Sequence, residues 1–129
     1  MKPRQLFLAD GVLTTVLGLA FFILPGLVLN VLGVPPRDPA RQLLTSFIGA
    51  ALLGIGVFQL LARGEAETRA GLAFMRAMLV FDIAGLVVGV IGATSGTINF
   101  MGWVIAVLFL IVGAPHAYWG FIRPVGRAQ

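Results

Sequence analysis

The sequence predicts an all-α integral membrane protein, a bundle of four helices that each cross the bilayer. Of its 129 residues, 59% are hydrophobic and 11% are charged, whereas a soluble domain carries roughly 25% charged residues. Four apolar segments are each long enough for a bilayer core about 30 Å thick. These segments are continuous and rich in Leu and Ala, without the alternation of a membrane β-barrel, so helices are the structure that pairs every backbone group within its own segment.

The first span is expected at residues 5–24, where Pro25 breaks or kinks it. The following apolar segment, 27–33, is too short to cross a membrane. Two alternatives remain open for it. It forms a short helix near the membrane surface, or the first helix continues with a kink to Leu32.

The other three spans begin at recognisable helix starts or end at helix breakers. Asp38 before a proline is a typical N-cap, Thr97 is a candidate N-cap for the last span, and Pro124 prevents that span from continuing. The whole chain, 1–129, is expected to be a single transmembrane domain, with its later spans at residues 39–62, 68–93 and 97–121.

Basic residues are distributed unequally between the two ends of the spans. Seven lie toward the side of the termini and the second loop, and two lie toward the other side. The first group is Lys2, Arg4, Arg63, Arg69, Arg76, Arg123 and Arg127; the second is Arg37 and Arg41. By the positive-inside rule both termini are cytoplasmic. Topology therefore explains the pI of about 11.2, and the scattered charges form no stripe for nucleic acid.

The composition excludes several chemistries. The chain has no cysteine, which excludes disulfides, thiolate catalysis and cysteine-bound iron–sulfur or zinc sites. No phosphate-binding loop, HExxH motif or pair of carboxylates at catalytic spacing is present. We expect no enzymatic activity and no metal site, and the sequence identifies no cofactor.

Polar residues inside the spans are the candidates for function, because a charged group at a helix centre costs roughly 2.5–3.5 kcal/mol on insertion scales. Each span places one polar side chain at a similar depth in the cytoplasmic half: Asp10, Gln59, Arg76 and His116. We predict an ion pair between Asp10 and Arg76, with Gln59 and His116 hydrogen-bonded around it. This cluster either fixes the register of the helices or lines a pocket for a proton, an ion or a headgroup; alternatively, Arg76 extends to the interface.

Asp82 is a separate midplane carboxyl in this scheme. It lies about 9 Å further along the third span than Arg76 and on a different helix face. A carboxyl at that depth serves a proton-coupled carrier or a neutral structural hydrogen bond. His116 follows Pro115 and is either a hydrogen-bonded core histidine or a cofactor ligand.

Small residues predict where the helices approach closely. The glycines share helix faces with the polar residues: Gly113 and Gly120 with His116, and Gly85 and Gly89 with Asp82. The full set of predicted packing glycines is Gly18, Gly54, Gly85, Gly89, Gly113 and Gly120.

The segments Leu24-Pro25-Gly26 and Leu32-Gly33-Val34-Pro35, with the Gly- and Ala-rich run 47–56, carry a family resemblance. They resemble small uncharacterised four-helix bacterial membrane proteins that are similar to the DoxX-like group. The resemblance covers mainly the first half of the chain. It implies a four-helix bundle in the bacterial inner (cytoplasmic) membrane and, for some members, association with oxidoreductase or quinone-linked complexes. It assigns no functional residue.

Three functions are compatible with these observations. The first is a structural or accessory inner-membrane subunit that self-associates or docks on a larger membrane complex. The second is a small proton- or ion-coupled carrier or channel that uses Asp82 and the inner polar cluster. The third is binding of a lipid, quinone or pigment near His116. The expected partners are membrane lipid and further copies of the chain or a larger membrane complex, and not nucleic acid.

Overall fold

The computed structural model describes residues 2–122, and every regular element in that range is helical. The elements are α1 (Pro3–Ile23), α2 (Pro25–Val31), α3 (Pro39–Ala62) with a 3-10 turn at Arg63–Glu65, α4 (Arg69–Thr94) and α5 (Met101–Ala117), which continues as a π-helical turn over Tyr118–Ile122. Met1 and residues 123–129 are not described. The predicted stop at Pro124 and the basic residues Arg123 and Arg127 therefore lie outside the described residues.

Four helical segments are long and apolar enough to cross a membrane: Pro3–Ile23, Pro39–Glu65, Arg69–Thr94 and Met101–Ile122. Large apolar side chains cover their outer surfaces; Leu61 and Phe47, for example, are 81% and 65% exposed. A water-soluble domain rarely exposes contiguous apolar patches larger than a few hundred Å². The predicted all-helical class with four membrane-length helices is confirmed.

The break after the first span separates two helices. Leu24 leaves the helical conformation and Pro25 begins α2. At the other end, Gly33 has a φ of +75°, and the amides of Gly33 and Val34 donate to the carbonyls of Asn30 and Leu29. This is a Schellman motif, which stops α2 after two turns. Of the two alternatives from the sequence, the separate short helix is therefore the one observed.

The start of α5 differs from the prediction. Asp38 is the N-cap of α3, as predicted, since its carboxylate accepts a hydrogen bond from Ala40 N at 2.9 Å. Thr97 is not the N-cap of α5, which begins four residues later at Met101. Asn99 takes that role in part, because its Oδ1 accepts from Met101 N at 2.9 Å.

Asn99 also ties this turn to α2. Its Nδ2 donates to Val31 O at 3.0 Å, and its backbone N–H donates to Leu32 O at 2.9 Å. A Cβ on Gly33 would collide with the Asn99 side chain. Glycine at this position therefore serves both the left-handed turn and the close approach. The short helix is anchored to the turn that precedes α5.

The helices pack as two antiparallel pairs, α1 with α3 and α4 with α5. In the first pair Gly49 lies against the backbone of Phe22, and Gly56 lies against Thr15. A side chain at either glycine would hold the two backbones apart. Close backbone approach through glycine is the usual way in which membrane helices gain packing energy.

Glycines have the same role in the second pair. Gly89 packs against Ala106, Gly102 packs against Ala93, and Gly85 lies under the ring of Phe109. The two helices are antiparallel, and this register places residues near 82 on α4 opposite residues near 113 on α5. This register determines which polar groups meet.

The predicted packing glycines behave differently from one another. Gly18, on α1, contacts the backbone of Leu53, whereas Gly120 is only in ordinary van der Waals contact with Arg76. Gly54 makes no packing contact within the chain, since a Cβ there would meet nothing within 4 Å. Gly54 faces outward on α3, and Gly49 and Gly56 form the interface with α1.

The two pairs meet at one end through an aromatic contact. The ring of Phe74 on α4 lies 5.3 Å from the ring of Phe7 on α1 and 4.9 Å from that of Phe58 on α3, measured between centroids. Phe7 and Met75 are fully buried in the same cluster. This apolar contact closes the bundle on the N-terminal side of Asp10, one of the polar residues described next.

Candidate functional site

Each of the four long helices contributes one carboxylate, amide or imidazole side chain to the interior of the bundle. These are Asp10 from α1, Gln59 from α3, Asp82 from α4 and His116 from α5. Gln59 and His116 have no exposed surface, and Asp10 and Asp82 are 5% and 3% exposed. Burial of this kind demands that each polar group has a partner.

His116 and Asp82 form the strongest contact. The Nδ1 atom of His116 lies 2.7 Å from Oδ2 of Asp82, a distance typical of a charge-assisted hydrogen bond. Gly113, one turn before His116, makes room for it, because a Cβ at that position would lie 3.1 Å from the Cβ of Asp82. Gly113 thus lets the carboxylate reach the histidine.

His116 faces a second carboxylate with its other ring nitrogen. Nε2 lies 3.6 Å from Oδ2 of Asp10, which is too long for a hydrogen bond. Nε2 has no hydrogen-bond partner within residues 2–122. The imidazole therefore lies between two carboxylates, bonded to one and a short distance from the other.

Asp10 has two neutral hydrogen-bond donors. Gln59 Nε2 donates to its Oδ2, and Thr14 Oγ1 donates to its Oδ1 at 3.3 Å. The other amide atom of Gln59, Oε1, is buried and has no partner in the described part of the chain. Gln59 thus positions Asp10 while retaining one unused acceptor beside the site.

The charges in this site do not balance. Among the described residues no Lys or Arg forms an ion pair with Asp10 or Asp82, and the one Arg–Asp pair joins exposed Arg41 and Asp38. With a neutral imidazole the two carboxylates give a net charge of −2, and a proton on Nε2 of His116 reduces it to −1. One further positive charge is needed to make the buried site neutral, and a proton is the smallest that fits.

The predicted ion pair between Asp10 and Arg76 is wrong. Arg76 is exposed, and its Nε donates to the carbonyl of Gly120 at 3.0 Å. Its guanidinium carbon lies 5.0 Å from the centroid of the Phe121 ring, a cation–π contact. Arg76 and Asp82 are six residues apart on α4, so when Asp82 faces inward, Arg76 lies on another face. Arg76 contacts the end of α5 and is not part of the interior cluster.

The separation predicted between Asp82 and His116 is also corrected. In the sequence-based prediction, the positions of their Cα atoms along the spans place Asp82 at the midplane and His116 in the cytoplasmic half. Side chains on a helix lean toward its N-terminus, and in the antiparallel pair α4–α5 those directions converge. Asp82 leans toward the start of α4 and His116 leans toward the start of α5, so the two groups meet between their Cα levels. The contact between Asp82 and His116 can therefore be predicted from the sequence only if the pairing of α4 with α5 is already known.

Within residues 2–122 no group of three or more His, Asp or Glu side chains is arranged to hold a metal ion. The chemistry that this arrangement can perform is proton binding and release, which carboxylates and imidazole carry out in buried sites.

Comparisons with family models, with curated proteins and with solved structures found no match for the chain. The fold defines the class of protein: an all-helical bundle with four helices that are long and apolar enough to span a membrane.

Proposed function

We propose that the chain is a multi-pass membrane protein that binds a proton inside the bilayer and couples its binding to transport. The proton is held by Asp10, His116 and Asp82, here called the carboxylate–histidine cluster. The observation that supports this proposal is the position of one buried histidine between carboxylates from two other helices, with no Lys or Arg among residues 2–122 paired to either carboxylate.

Electrostatics favour reversible binding of a proton at the carboxylate–histidine cluster. An uncompensated charge inside a membrane protein is costly, so the cluster holds enough protons to approach neutrality. Removal of one proton leaves a net negative charge that attracts the next cation. A buried site built only from amides and hydroxyls would not change its charge in this way.

The geometry gives proton binding a mechanical consequence. A proton on Nε2 of His116 turns that atom into a donor, and Oδ2 of Asp10 lies 3.6 Å from it. A hydrogen bond of ordinary length, about 2.8 Å, then draws α1 toward α5. Because α1 packs along α3 and α5 packs along α4, protonation changes the spacing of the two helix pairs. Two arrangements with different proton occupancy are what a proton-coupled carrier requires.

The proposed orientation places both termini in the cytoplasm of a bacterial cell, with the chain in the inner membrane. Lys2, Arg4, Arg63 and Arg69 lie at one end of the bundle, and Arg37 and Arg41 lie at the other. Asp10 lies about 10 Å along α1 from Pro3, so the cluster belongs to the cytoplasmic half. In this orientation α2 lies at the opposite interface.

Infrared spectroscopy of the reconstituted protein tests the proposal. A pH-difference spectrum of the wild type is expected to show the carbonyl band of a buried carboxyl that gains a proton as the pH falls. Asp82→Asn removes or strongly shifts that band, because it deletes the carboxyl bonded to His116. Asp38→Asn is the matched control, since Asp38 is an exposed aspartate that caps α3, and it leaves the band unchanged.

Proton flux into vesicles then tests the coupling to transport. With a membrane potential imposed and a pH-sensitive dye inside, wild-type proteoliposomes are expected to acidify about tenfold faster than vesicles with Asp82→Asn. The Asp38→Asn variant should match the wild type. A wild-type spectrum without a titrating buried carboxyl, or a flux equal in all three proteins, contradicts the proposal.

The second candidate function is a self-associating structural subunit. It is favoured by the outer face of α3, where Ala50 and Gly54 are exposed at a spacing of four residues. Small residues at that spacing allow two membrane helices to approach closely. His116 as a haem or pigment ligand gains no such support, because it is fully enclosed and uses Nδ1 for Asp82.

A further inference from the structure

An apolar groove opens between α4 and α5 directly beside the carboxylate–histidine cluster. It has a volume of about 180 Å³. Apolar side chains form most of its wall, among them Leu86, Phe109 and Leu110, and the small residues Gly113 and Ala114 make it deep. The one carboxylate of its wall is Asp82.

Asp82 lines this groove and has one carboxylate oxygen that accepts no hydrogen bond from the described residues. Its Oδ2 is bonded to Nδ1 of His116, whereas its Oδ1 has no hydrogen-bond donor among residues 2–122. The residue is only 3% exposed, and it forms part of the groove wall. A carboxylate oxygen without a donor in an otherwise apolar wall favours a ligand that brings a hydrogen-bond donor.

We propose that the groove binds a lipophilic amine, a molecule with an apolar ring and a protonated ammonium group. The ring occupies the apolar part of the groove and the ammonium donates to Asp82 Oδ1. This inference rests on the proposed proton-binding function and assigns it a substrate class. Ammonium and proton compete for one negative charge, so each ammonium that binds releases one proton.

Both the size and the charge of the site select this class of ligand. A dry cavity of about 150 Å³ in an unrelated protein holds benzene, so a groove of 180 Å³ holds a single ring. A neutral hydrocarbon or acyl chain would leave Asp82 Oδ1 without a donor. An anion would face Asp82 and Asp10 together. A cation supplies both the missing donor and the missing positive charge.

The groups that face Asp82 set the pH dependence. His116 on α5 contacts Asp82 directly, and Asp10 on α1 lies on the other side of the imidazole, where it is bonded to the neutral amide of Gln59 on α3. Arg76 of α4 is turned to Gly120. At low pH protons fill the cluster and exclude the amine. Amine affinity therefore rises with pH until the amine itself loses its proton.

Titration calorimetry in lipid nanodiscs tests this inference on the wild-type protein. The probe is 2-phenylethylamine, compared with 3-phenylpropanol and 3-phenylpropionate, which carry the same ring on a neutral and an anionic head. Empty nanodiscs correct for partition into lipid. Buffers of different ionisation enthalpy report the protons released. We expect saturable amine binding with release of one proton, and about tenfold weaker binding of the alcohol and the carboxylate.

Two variants locate the bound amine. Ala114 lines the groove and has no polar side-chain atom, so Ala114→Phe fills the groove and leaves every residue of the cluster in place. It is expected to abolish amine binding while the infrared band of the titrating carboxyl persists. Ala84→Phe adds the same ring at an exposed position of α4 outside the groove and should bind as the wild type does.

The outcomes separate this inference from the function on which it rests. A wild type with the titrating carboxyl band but no saturable amine binding overturns the inference and leaves proton binding in place. Equal affinity for the three probes, or amine binding that survives Ala114→Phe, also overturns it. Loss of the carboxyl band from the wild type overturns the proposed function itself. The comparison of the three probes needs no variant, so it stands even if Ala114→Phe fails to fold.

Discussion

Thr14 and Thr15 are neighbours on α1 with opposite hydrogen-bonding states. Thr14 Oγ1 donates to Asp10 Oδ1. Thr15 Oγ1 is buried without a partner in the described part of the chain, and it faces Gly56 across the α1–α3 interface. The two hydroxyls therefore contribute to stability with opposite signs.

Replacement of each threonine by valine tests this assignment, because valine keeps the shape and removes the hydroxyl. Thr14→Val is expected to lower the free energy of unfolding by about 1 kcal/mol, since Asp10 loses a donor. Thr15→Val is expected to be neutral or to raise it by up to about 1 kcal/mol, because no hydrogen bond is lost. Unfolding in mixed micelles with increasing SDS measures both, each variant serving as the control for the other. Equal losses in the two variants would contradict the assigned hydrogen bonds.

Individual site residues were partly predictable from the sequence. Asp10, Gln59 and His116 stand out because they are polar within apolar spans, and the structure brings them together. Arg76 stands out for the same reason but is turned away from them, since composition along a span does not report which face a residue occupies. Asp82 was treated as separate because the lean of its side chain toward His116 depends on the pairing of α4 with α5.

At the scale of the elements, the α1–α3 interface depends on glycine at particular positions and not at others. Gly49 and Gly54 lie on the same helix, five residues apart. A Cβ on Gly49 would enter the backbone of Phe22, and a Cβ on Gly54 would meet nothing. The same substitution at both positions therefore distinguishes the loss of packing between α1 and α3 from the general effects of a larger side chain in α3.

We expect Gly49→Leu to lower the free energy of unfolding by about 3 kcal/mol or to prevent folding, because α1 and α3 must move apart. Gly54→Leu should change it by no more than about 0.5 kcal/mol. Unfolding in SDS, monitored by circular dichroism, measures the difference. Equal destabilisation by the two substitutions would argue against the observed register of α1 and α3.

Gly54→Leu also discriminates between the two candidate functions. If copies of the chain associate through Ala50 and Gly54, the leucine abolishes the oligomer seen by cross-linking in membranes while the monomer stays folded. If the chain acts alone as a proton-coupled carrier, proton flux and the titrating carboxyl band are unaffected.

The sequence predicts some helix ends correctly and others not. Asp38 before Pro39 is a strong local signal, and α3 begins where it indicates. Thr97 carries a similar signal, yet α5 begins at Met101, because Asn99 makes longer-range bonds to α2 that no local pattern reports. The sequence left two alternatives after Pro25, and the non-helical conformation of Leu24 decides between them.

At the scale of the whole molecule, hydropathy predicts four membrane-length helices but not their neighbours. Each span is apolar on most of its surface, so no amphipathic stripe indicates the partner. The observed pairs, α1 with α3 and α4 with α5, are defined by glycines whose contacts become visible only in three dimensions. The carboxylate–histidine cluster bridges these pairs, so the proposed function predicts that a change in its proton occupancy alters the spacing of both.

The orientation of the molecule in the membrane can be measured because the chain has no cysteine. Single cysteines at Glu67 and Thr97 place one thiol in each of two exposed turns at opposite ends of α4. Lys2, Arg4, Arg63 and Arg69 lie at the Glu67 end, so the positive-inside rule places that end in the cytoplasm. In intact spheroplasts a membrane-impermeant maleimide should label Thr97→Cys at once and Glu67→Cys only after permeabilisation. The reverse pattern would invert the proposed orientation and move the cluster to the outer half of the bilayer, and equal labelling of both would indicate two orientations of the chain.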